Sequence, residues 1–323
     1  MAQRKNLRSQ GALTRGAFMV AKVAYLWRLM NRSGVVWALF IALVLVWGSS
    51  FVLMKVAIKS FEPLQIGALR LLFAAATVLV ISRKHFSEFR RADFWPLTVV
   101  ALMGNSLPYL LFPLAVAKVP SALVGVANST TPVFALLFGV LAFGRKLHKI
   151  QVWGVLAGLL GAVLLISPWR AVLPGQEIKS SYLLLAILAS GFYGISINTI
   201  GSKLSHLSPR GITLFVMLIT LPVSLGILGA TKVWTNLGAD HLLPALASLA
   251  FLGIVSTGIA TVLFNKLIAL TSPLTAASTT YFIPVVALAW GLGMSETILP
   301  HHIGGMVAII LGVYLVNKKP KAQ

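Results

Sequence analysis

Apolar residues run along this chain in long blocks, not in the alternation of a half-buried strand or the one-sided stripe of a surface helix. Ten blocks are long enough, or nearly so, to cross the roughly 30 Å hydrocarbon layer of a bilayer as helices. They fall at 35–58, 63–82, 95–116, 121–143, 150–168, 181–202, 210–230, 242–266, 273–294 and 302–317. The links between them are short and rich in Pro, Gly, Lys and Arg, which leaves no room for an inserted soluble domain. Two blocks carry the same interruption. In Asn128-Ser129-Thr130-Thr131-Pro132 and in Ser278-Thr279-Thr280-Tyr281-Phe282-Ile283-Pro284, a Ser-Thr-Thr triplet precedes a proline deep inside the block. A proline withholds a backbone donor and frees a carbonyl one turn back, so in lipid the exposed backbone must be satisfied from within the protein. Hydroxyls beside such breaks, in matching places of two halves, point to a transport site. Pro132 and Pro284 are therefore the expected hinges, and both stretches are expected to face one central cavity.

The blocks divide into five and five, over residues 34–168 and 181–317. An odd number of crossings puts the second half in the membrane upside down relative to the first. Internal matches support the division: Gly104 before Asn105-Ser106 with Gly253 before Ser256-Thr257, Pro132 with Pro284, and Gly154 and Gly161 with Gly305 and Gly312. The expected fold is an all-α integral membrane protein whose ten transmembrane helices form two inverted five-helix repeats. A basic tail over 1–33 precedes them and a short basic tail over 318–323 follows.

Composition agrees with that pattern. Of 323 residues, 58% are hydrophobic and 10% charged, with a mean hydropathy of +0.91; a soluble domain carries about 25% charged residues. A net charge of +21 raises the question of nucleic acid, but the cations lie at the ends of the apolar blocks, where membrane orientation places them. Residues 1–33 hold Arg4, Lys5, Arg8, Arg15, Lys22, Arg28 and Arg32 without any acid, and lack a convincing cleavage site, so a removable signal peptide is not expected. With the amino terminus inside, the inner links hold the excess of Lys and Arg, so both termini are expected in the cytoplasm. The chain has no cysteine, which excludes disulfides and thiolate metal sites.

The run Trp47-Gly48-Ser49-Ser50-Phe51 with Lys55 resembles the first-helix signature of the EamA family in the drug/metabolite transporter superfamily. Pro63 with Arg70 is similar to that family's second-helix pattern, and Glu296 followed by Gly305 and Gly312 resembles the close of each of its repeats. The resemblance spans 34–317. Arg145 departs from it, standing where the first repeat of the family commonly has the acid that Glu296 supplies. That position is a helix end, so the change bears on local structure and orientation more than on a site. The resemblance implies a permease of the bacterial inner membrane, often an exporter, of amino acids or other small metabolites.

Arg70 is the most informative single residue. It lies about a third of the way into its helix, where a cation costs at least about 2.5 kcal/mol unless it faces a wet cavity, a carbonyl or an anion. It either holds a substrate carboxylate or orders a gate, or else it caps freed carbonyls or snorkels. Counted from Pro63 and Pro209, its mate in the second half is Val216, so the charge is not a repeated packing feature. Trp47, at mid-helix, needs a partner for its indole N–H and reads as cavity wall or packed core. The Asn128 amide must bond either substrate or a neighbouring helix. Asn105, Tyr109 and Tyr281 join the candidate set, with Tyr193 a weaker member. Ser129, Thr130, Thr131, Ser278, Thr279 and Thr280 complete it, although each hydroxyl could instead bond back to its own helix.

The six acids (Glu62, Glu88, Asp93, Glu177, Asp240, Glu296) and the six histidines fall in links or at helix ends. No proton relay at the midplane, metal site, cofactor site or nucleophile–base pair is therefore expected, and the chain is not expected to be an enzyme. The expected function is a secondary carrier of an amino acid or similar small anion or zwitterion, working by alternating access and moving it outward. Its site is expected between helices 4 and 9, with helices 1, 2, 3 and 8 around them. The expected partners are a small-molecule substrate and the lipid bilayer, with a second copy of the chain as a further candidate and no nucleic acid. Uptake of a different metabolite or drug-like solute, and a non-transporting receptor or scaffold, remain as alternatives.

Overall fold

The computed structural model describes residues 34–144, 148–166, 179–296 and 300–317; Arg145 and the tails expected over 1–33 and 318–323 lie outside the described residues. Among the described residues there is no strand. Helices suit the composition, because a helix satisfies its own backbone where lipid offers no hydrogen bond. They are α1 (Gly34–Ala57), α2 (Pro63–Ser82), α3 (Arg91–Val116), α4 (Ser121–Leu141) and α5 (Lys149–Ile166). The chain continues through α6 (Leu183–Lys203), α7 (Pro209–Ala230), α8 (Leu242–Leu270), α9 (Pro273–Gly293) and α10 (Pro300–Asn317). Eight of these, α1–α4 and α6–α9, are long and apolar enough to cross a membrane, with the 3-10 turn Arg83–Glu88 extending α2. Helices α5 and α10 are apolar over the shorter stretches Lys149–Leu164 and Ile303–Leu315. The chain is a multi-pass membrane protein.

Local sequence sets where the helices start. Proline opens α2, α7 and α9, where its missing N–H would have had no helical partner. The Ser208 and Ser272 hydroxyls cap α7 and α9 by accepting from Gly211 N (3.0 Å) and Thr275 N (3.1 Å).

Helix α2 packs along α7 and against α8, and the two pairs α2/α7 and α4/α9 each run antiparallel. Gln65 Nε2, in the first turn of α2, donates to the carbonyl of Thr231 just past α7 (3.0 Å). At the opposite end Ser208 N, entering α7, donates to Glu88 Oε2 beyond α2 (2.9 Å). Likewise Glu296, past the end of α9, accepts from Ser121 N (2.8 Å), Ser121 Oγ (2.7 Å) and Ala122 N (3.0 Å) at the start of α4.

These bonds also clasp the two ends of the α2/α7 pair, with unlike chemistry. At one end the groups are neutral: Ser60 Oγ donates to the Asp240 carbonyl (2.7 Å) and Asn236 Nδ2 to the Ser60 carbonyl (2.8 Å). The other end is ionisable. There Glu88 binds His85 (2.6 Å) and Ser208 Oγ (2.8 Å), and His206 Nε2 meets Asp93 (3.1 Å).

Four departures from regular helix shape the middle of the bundle. Helix α4 breaks at Ser129-Thr130, between Ser121–Asn128 and Thr131–Leu141. Helix α9 passes through a 3-10 turn, Ser278–Tyr281, between Pro273–Ala277 and Ile283–Gly293. Both breaks lie just before the prolines, Pro132 and Pro284. In α3 the stretch Leu102–Ser106 is π-helical, and in α8 the stretch Phe251–Ile259 is too. These widened turns lie in the two places matched by Gly104 and Gly253.

Away from the centre, α5 and α10 meet backbone to backbone. A Cβ on Gly312 would come within 2.6 Å of the Gly154 carbonyl oxygen, and one on Gly161 within 2.6 Å of Ile309 N. Small residues at such spacing let helices approach closely where lipid supplies no hydrophobic drive.

Candidate functional site

A cavity lies within the bundle, with about 810 Å³ of empty space when the part open to solvent is counted. Helix α1 presents Trp47, Ser50, Phe51 and Met54 to it, positions spaced to share one helix face. Helix α2 gives Arg70 and α7 gives Val216, the very pair matched by counting from Pro63 and Pro209. The two positions correspond, yet only one carries charge. The π-helical turn of α3 supplies Gly104 and Asn105, with Tyr109 and Phe112 following on the same side. From α4 come Asn128 and Thr131, and from α9 comes Thr280. Helix α6 adds Tyr193, Ser196, Ile197 and Ile200, and α8 adds Thr261, Phe264 and Asn265.

Of the candidates drawn from the sequence, Arg70, Trp47, Asn105, Tyr109, Asn128, Thr131 and Thr280 thus line one cavity. Ser129, Thr130, Ser278, Thr279 and Tyr281 are not among its lining residues. Their hydroxyls are engaged elsewhere. Ser129 and Thr130 donate to the carbonyls three residues back, Val126 (2.6 Å) and Ala127 (2.8 Å). Thr279 does the same to Ala276 (2.9 Å), Ser278 reaches Leu274 (3.1 Å), and Tyr281 is tied to the Val313 carbonyl of α10 (2.9 Å). Thr131 and Thr280 also donate three residues back, to Asn128 (2.7 Å) and Ala277 (2.8 Å), while lining the cavity. In each triplet it is the last member that does so.

The arrangement around helices 4 and 9 is wider than the sequence suggested, because α6 and α7 also contribute wall. Ser196, Thr261 and Asn265 also line the cavity. A signal existed for two of them: Thr257, Thr261 and Asn265 recur every fourth residue along α8, which places them on one helix face.

Arg70 is 3% exposed. Among the described residues it makes one hydrogen bond, from Nε to Thr257 Oγ1 (2.5 Å), and its guanidinium lies 4.2 Å from the centre of the Tyr109 ring. No described carboxylate pairs with it. The ring face offers a cation–π contact, and among the described residues the terminal amino groups have no acceptor. The indole N–H of Trp47 finds a backbone partner, the carbonyl of Ser256 in α8 (2.9 Å), and its ring meets Phe264 edge-on at 5.1 Å. Phe112 stacks on Tyr193 (5.9 Å) and meets Phe51 edge-on (5.7 Å), so much of the wall is aromatic.

Three lining amides share one property. The side-chain oxygens of Asn105, Asn128 and Asn265 are buried and accept no hydrogen bond. The amide nitrogens of two of them are used, Asn105 Nδ2 by the Val100 carbonyl (3.3 Å) and Asn265 Nδ2 by Thr213 Oγ1 (3.0 Å). A buried acceptor without a donor is unusual. No lining residue is a carboxylate or an imidazole. Chemically the cavity offers one buried cation, three amides whose oxygens lack donors, and an aromatic wall.

The sequence pattern of the EamA-like transporter family matches this chain twice, over residues 32–167 and 180–318. The inner membrane transporter YedA of Escherichia coli (strain K12) is 29% identical over 314 residues, covering 88% of this chain and 92% of that protein. A probable amino-acid metabolite efflux pump of Salmonella typhimurium is 27% identical over 294 residues, covering 85% and 93%. A protein of solved crystal structure shares the fold, with a TM-score of 0.58 at 16% identity over 88% of this chain and 96% of that one. With both halves of its membrane region matched in this way, the chain belongs to the EamA-like transporter family.

Proposed function

We propose that the chain is a secondary carrier that binds a small zwitterion, an amino acid or close metabolite, in the central cavity and moves it out of the cell by alternating access. The observation that carries this reading is Arg70, a buried guanidinium with no described carboxylate partner, on the wall of a cavity whose amide oxygens lack donors. A carboxylate would complete the arginine, as a planar fork matches a planar anion. An ammonium group would complete the Asn105, Asn128 and Asn265 oxygens. Trp47, Tyr109 and the Phe112–Tyr193 pair would shape the apolar remainder of the pocket.

The carrier mechanism rests on the inverted repeats, residues 34–168 and 181–317, with all ten helices crossing. Three observations support it. Helices with equivalent places in the two halves, α2 with α7 and α4 with α9, run antiparallel. Each half is interrupted by one Ser-Thr-Thr break and one π-helical turn. The family pattern matches once per half. Two such halves can rock about a site near the midplane, opening it to one side at a time. We place both termini in the cytoplasm, in the inner membrane, from the Lys/Arg distribution. Export is favoured by relatives named as efflux pumps.

The test is thermal stabilisation of the purified protein by the twenty proteinogenic amino acids, each against its amine analogue lacking the carboxylate. A ligand that binds only the folded protein at about 100 times its Kd adds about 2.7 kcal/mol of stability. At least one amino acid stabilises and its amine does not. Equal stabilisation by the amines would remove Arg70 from the role given to it.

A further inference from the structure

Behind the cavity wall, the π-helical turn Phe251–Ile259 of α8 holds two of the wall's key side chains. Ser256 offers its carbonyl to the Trp47 indole (2.9 Å), and the next residue, Thr257, accepts from Arg70 Nε. Thr257 itself is not among the lining residues. We propose that Thr257 is a positioning residue for substrate recognition, fixing the Arg70 guanidinium so that its terminal amino groups are held ready for a carboxylate. This deepens the reading of Arg70 as the carboxylate site and rests on it.

The polarity of the Thr257 hydroxyl is set. Its hydrogen goes to the Leu252 carbonyl five residues back (2.8 Å), so only its lone pairs face the arginine. A hydroxyl free to rotate could turn its hydrogen towards the cation; this one is committed as an acceptor. The reach of five residues depends on the widened turn, since a threonine in a regular α-helix bonds three or four residues back. The same relation occurs in the other half, where Asn105 Nδ2 donates to the Val100 carbonyl five residues back in the π-helical turn of α3. Close approach of α8 to α2 completes the arrangement. A Cβ on Gly253 would overlap Phe73 and come within 3.0 Å of the Arg70 carbonyl oxygen.

With Nε taken at one edge and the Tyr109 ring at 4.2 Å over one face, the guanidinium has little freedom to swing. An arginine held this way loses less entropy when it binds, and it discriminates by geometry as well as by charge. Thr257 lies in the second half and Arg70 in the first, so the contact crosses between the halves at the site itself.

The experiment measures the Kd of the amino acid, among the twenty, that most stabilises the wild-type protein, in three Thr257 variants and in Arg70→Ala. Thr257→Val keeps the shape and removes the acceptor; it weakens binding about tenfold and also lowers the ligand-free Tm, because Arg70 Nε and the Leu252 carbonyl lose their partner. Thr257→Ser restores wild-type affinity. Thr257→Cys, whose sulfur is a weak acceptor, loses affinity in the same direction and stands in if the valine variant does not accumulate. Unchanged affinity in Thr257→Val, or a serine variant as weak as the valine one, overturns the positioning role while a weakened Arg70→Ala leaves the carboxylate site standing. Unchanged affinity in Arg70→Ala, or a wild-type protein stabilised by none of the twenty, overturns the carboxylate reading and this inference with it.

Discussion

Replacing Arg70 with methionine keeps much of the side chain's length and removes its charge, so the two roles open to this residue predict opposite results. Without substrate, the wild-type guanidinium is 3% exposed, bonded once and unpaired with any described carboxylate. Exchanging a buried ionic group for an apolar one of similar volume is often neutral or stabilising, by about 1–4 kcal/mol. The variant should therefore unfold at or above the wild-type Tm. With substrate the balance reverses. A charge-assisted pair to a carboxylate is worth about 1.5–3 kcal/mol, and its loss weakens binding about 10- to 150-fold. Both quantities come from one assay: thermal unfolding followed by the fluorescence of the eight tryptophans, across a concentration series of the stabilising amino acid. The expected outcome is an equal or raised ligand-free Tm together with a dose curve displaced to higher concentration. A Tm lowered by several degrees with an unmoved dose curve would show that Arg70 braces the helices, and the reasoning would fail.

Three further outcomes follow from other parts of the bundle. Glu296→Gln removes the charge that caps the start of α4 and lowers stability by about 1–2 kcal/mol, read as a lower Tm; an unchanged Tm would mean the carboxylate contributes nothing at that helix end. Gly312→Leu forces a side chain into the α5–α10 contact and costs about 1–3 kcal/mol, while the substrate Kd of the folded fraction stays as in wild type. Because the chain has no cysteine, single-cysteine variants report cleanly: Thr280→Cys and Thr131→Cys react with a polar maleimide and are protected by substrate, whereas Thr130→Cys is not protected. Protection of Thr130→Cys and not of Thr280→Cys would contradict the cavity as described.

Much of this architecture was legible in the residues, and the exceptions have physical causes. Apolar block length gave the helices because the bilayer fixes how long a crossing must be. The breaks in α4 and α9 were legible because a Ser-Thr-Thr triplet stands before each proline, whereas Pro113 and Pro222 sit inside helices that continue past them. Only one member of each Ser-Thr-Thr triplet can face the cavity, since consecutive residues point about 100° apart around a helix. The structure turns Thr131 and Thr280 to the cavity and satisfies Ser129, Thr130, Ser278 and Thr279 from their own helices. Tyr281 looked like a pocket phenol because it follows the second triplet, but one residue further round it meets α10. Of the residues that α6 contributes, Tyr193 was a weaker candidate in the sequence, whereas Ile197 and Ile200 look like any lipid-facing residues. The π-helical turns were invisible for a different reason. No residue type compels them, and they arise where α3 and α8 pack against their neighbours, which only the assembled bundle reveals. Arg70 was conspicuous as a lone intramembrane cation, yet the sequence held no hint that Thr257, 187 residues away, would be its partner.

The proposed carrier has one substrate site, reached from alternate sides of the membrane. Counterflow in proteoliposomes tests it most directly: vesicles are loaded with the stabilising amino acid unlabelled, diluted into a trace of the labelled form, and followed over time. A carrier gives a transient accumulation of label above equilibrium that saturates with substrate and is lost in the Arg70→Met protein. Label that only drifts to equilibrium at the rate of protein-free vesicles, or an overshoot that Arg70→Met leaves intact, would contradict it.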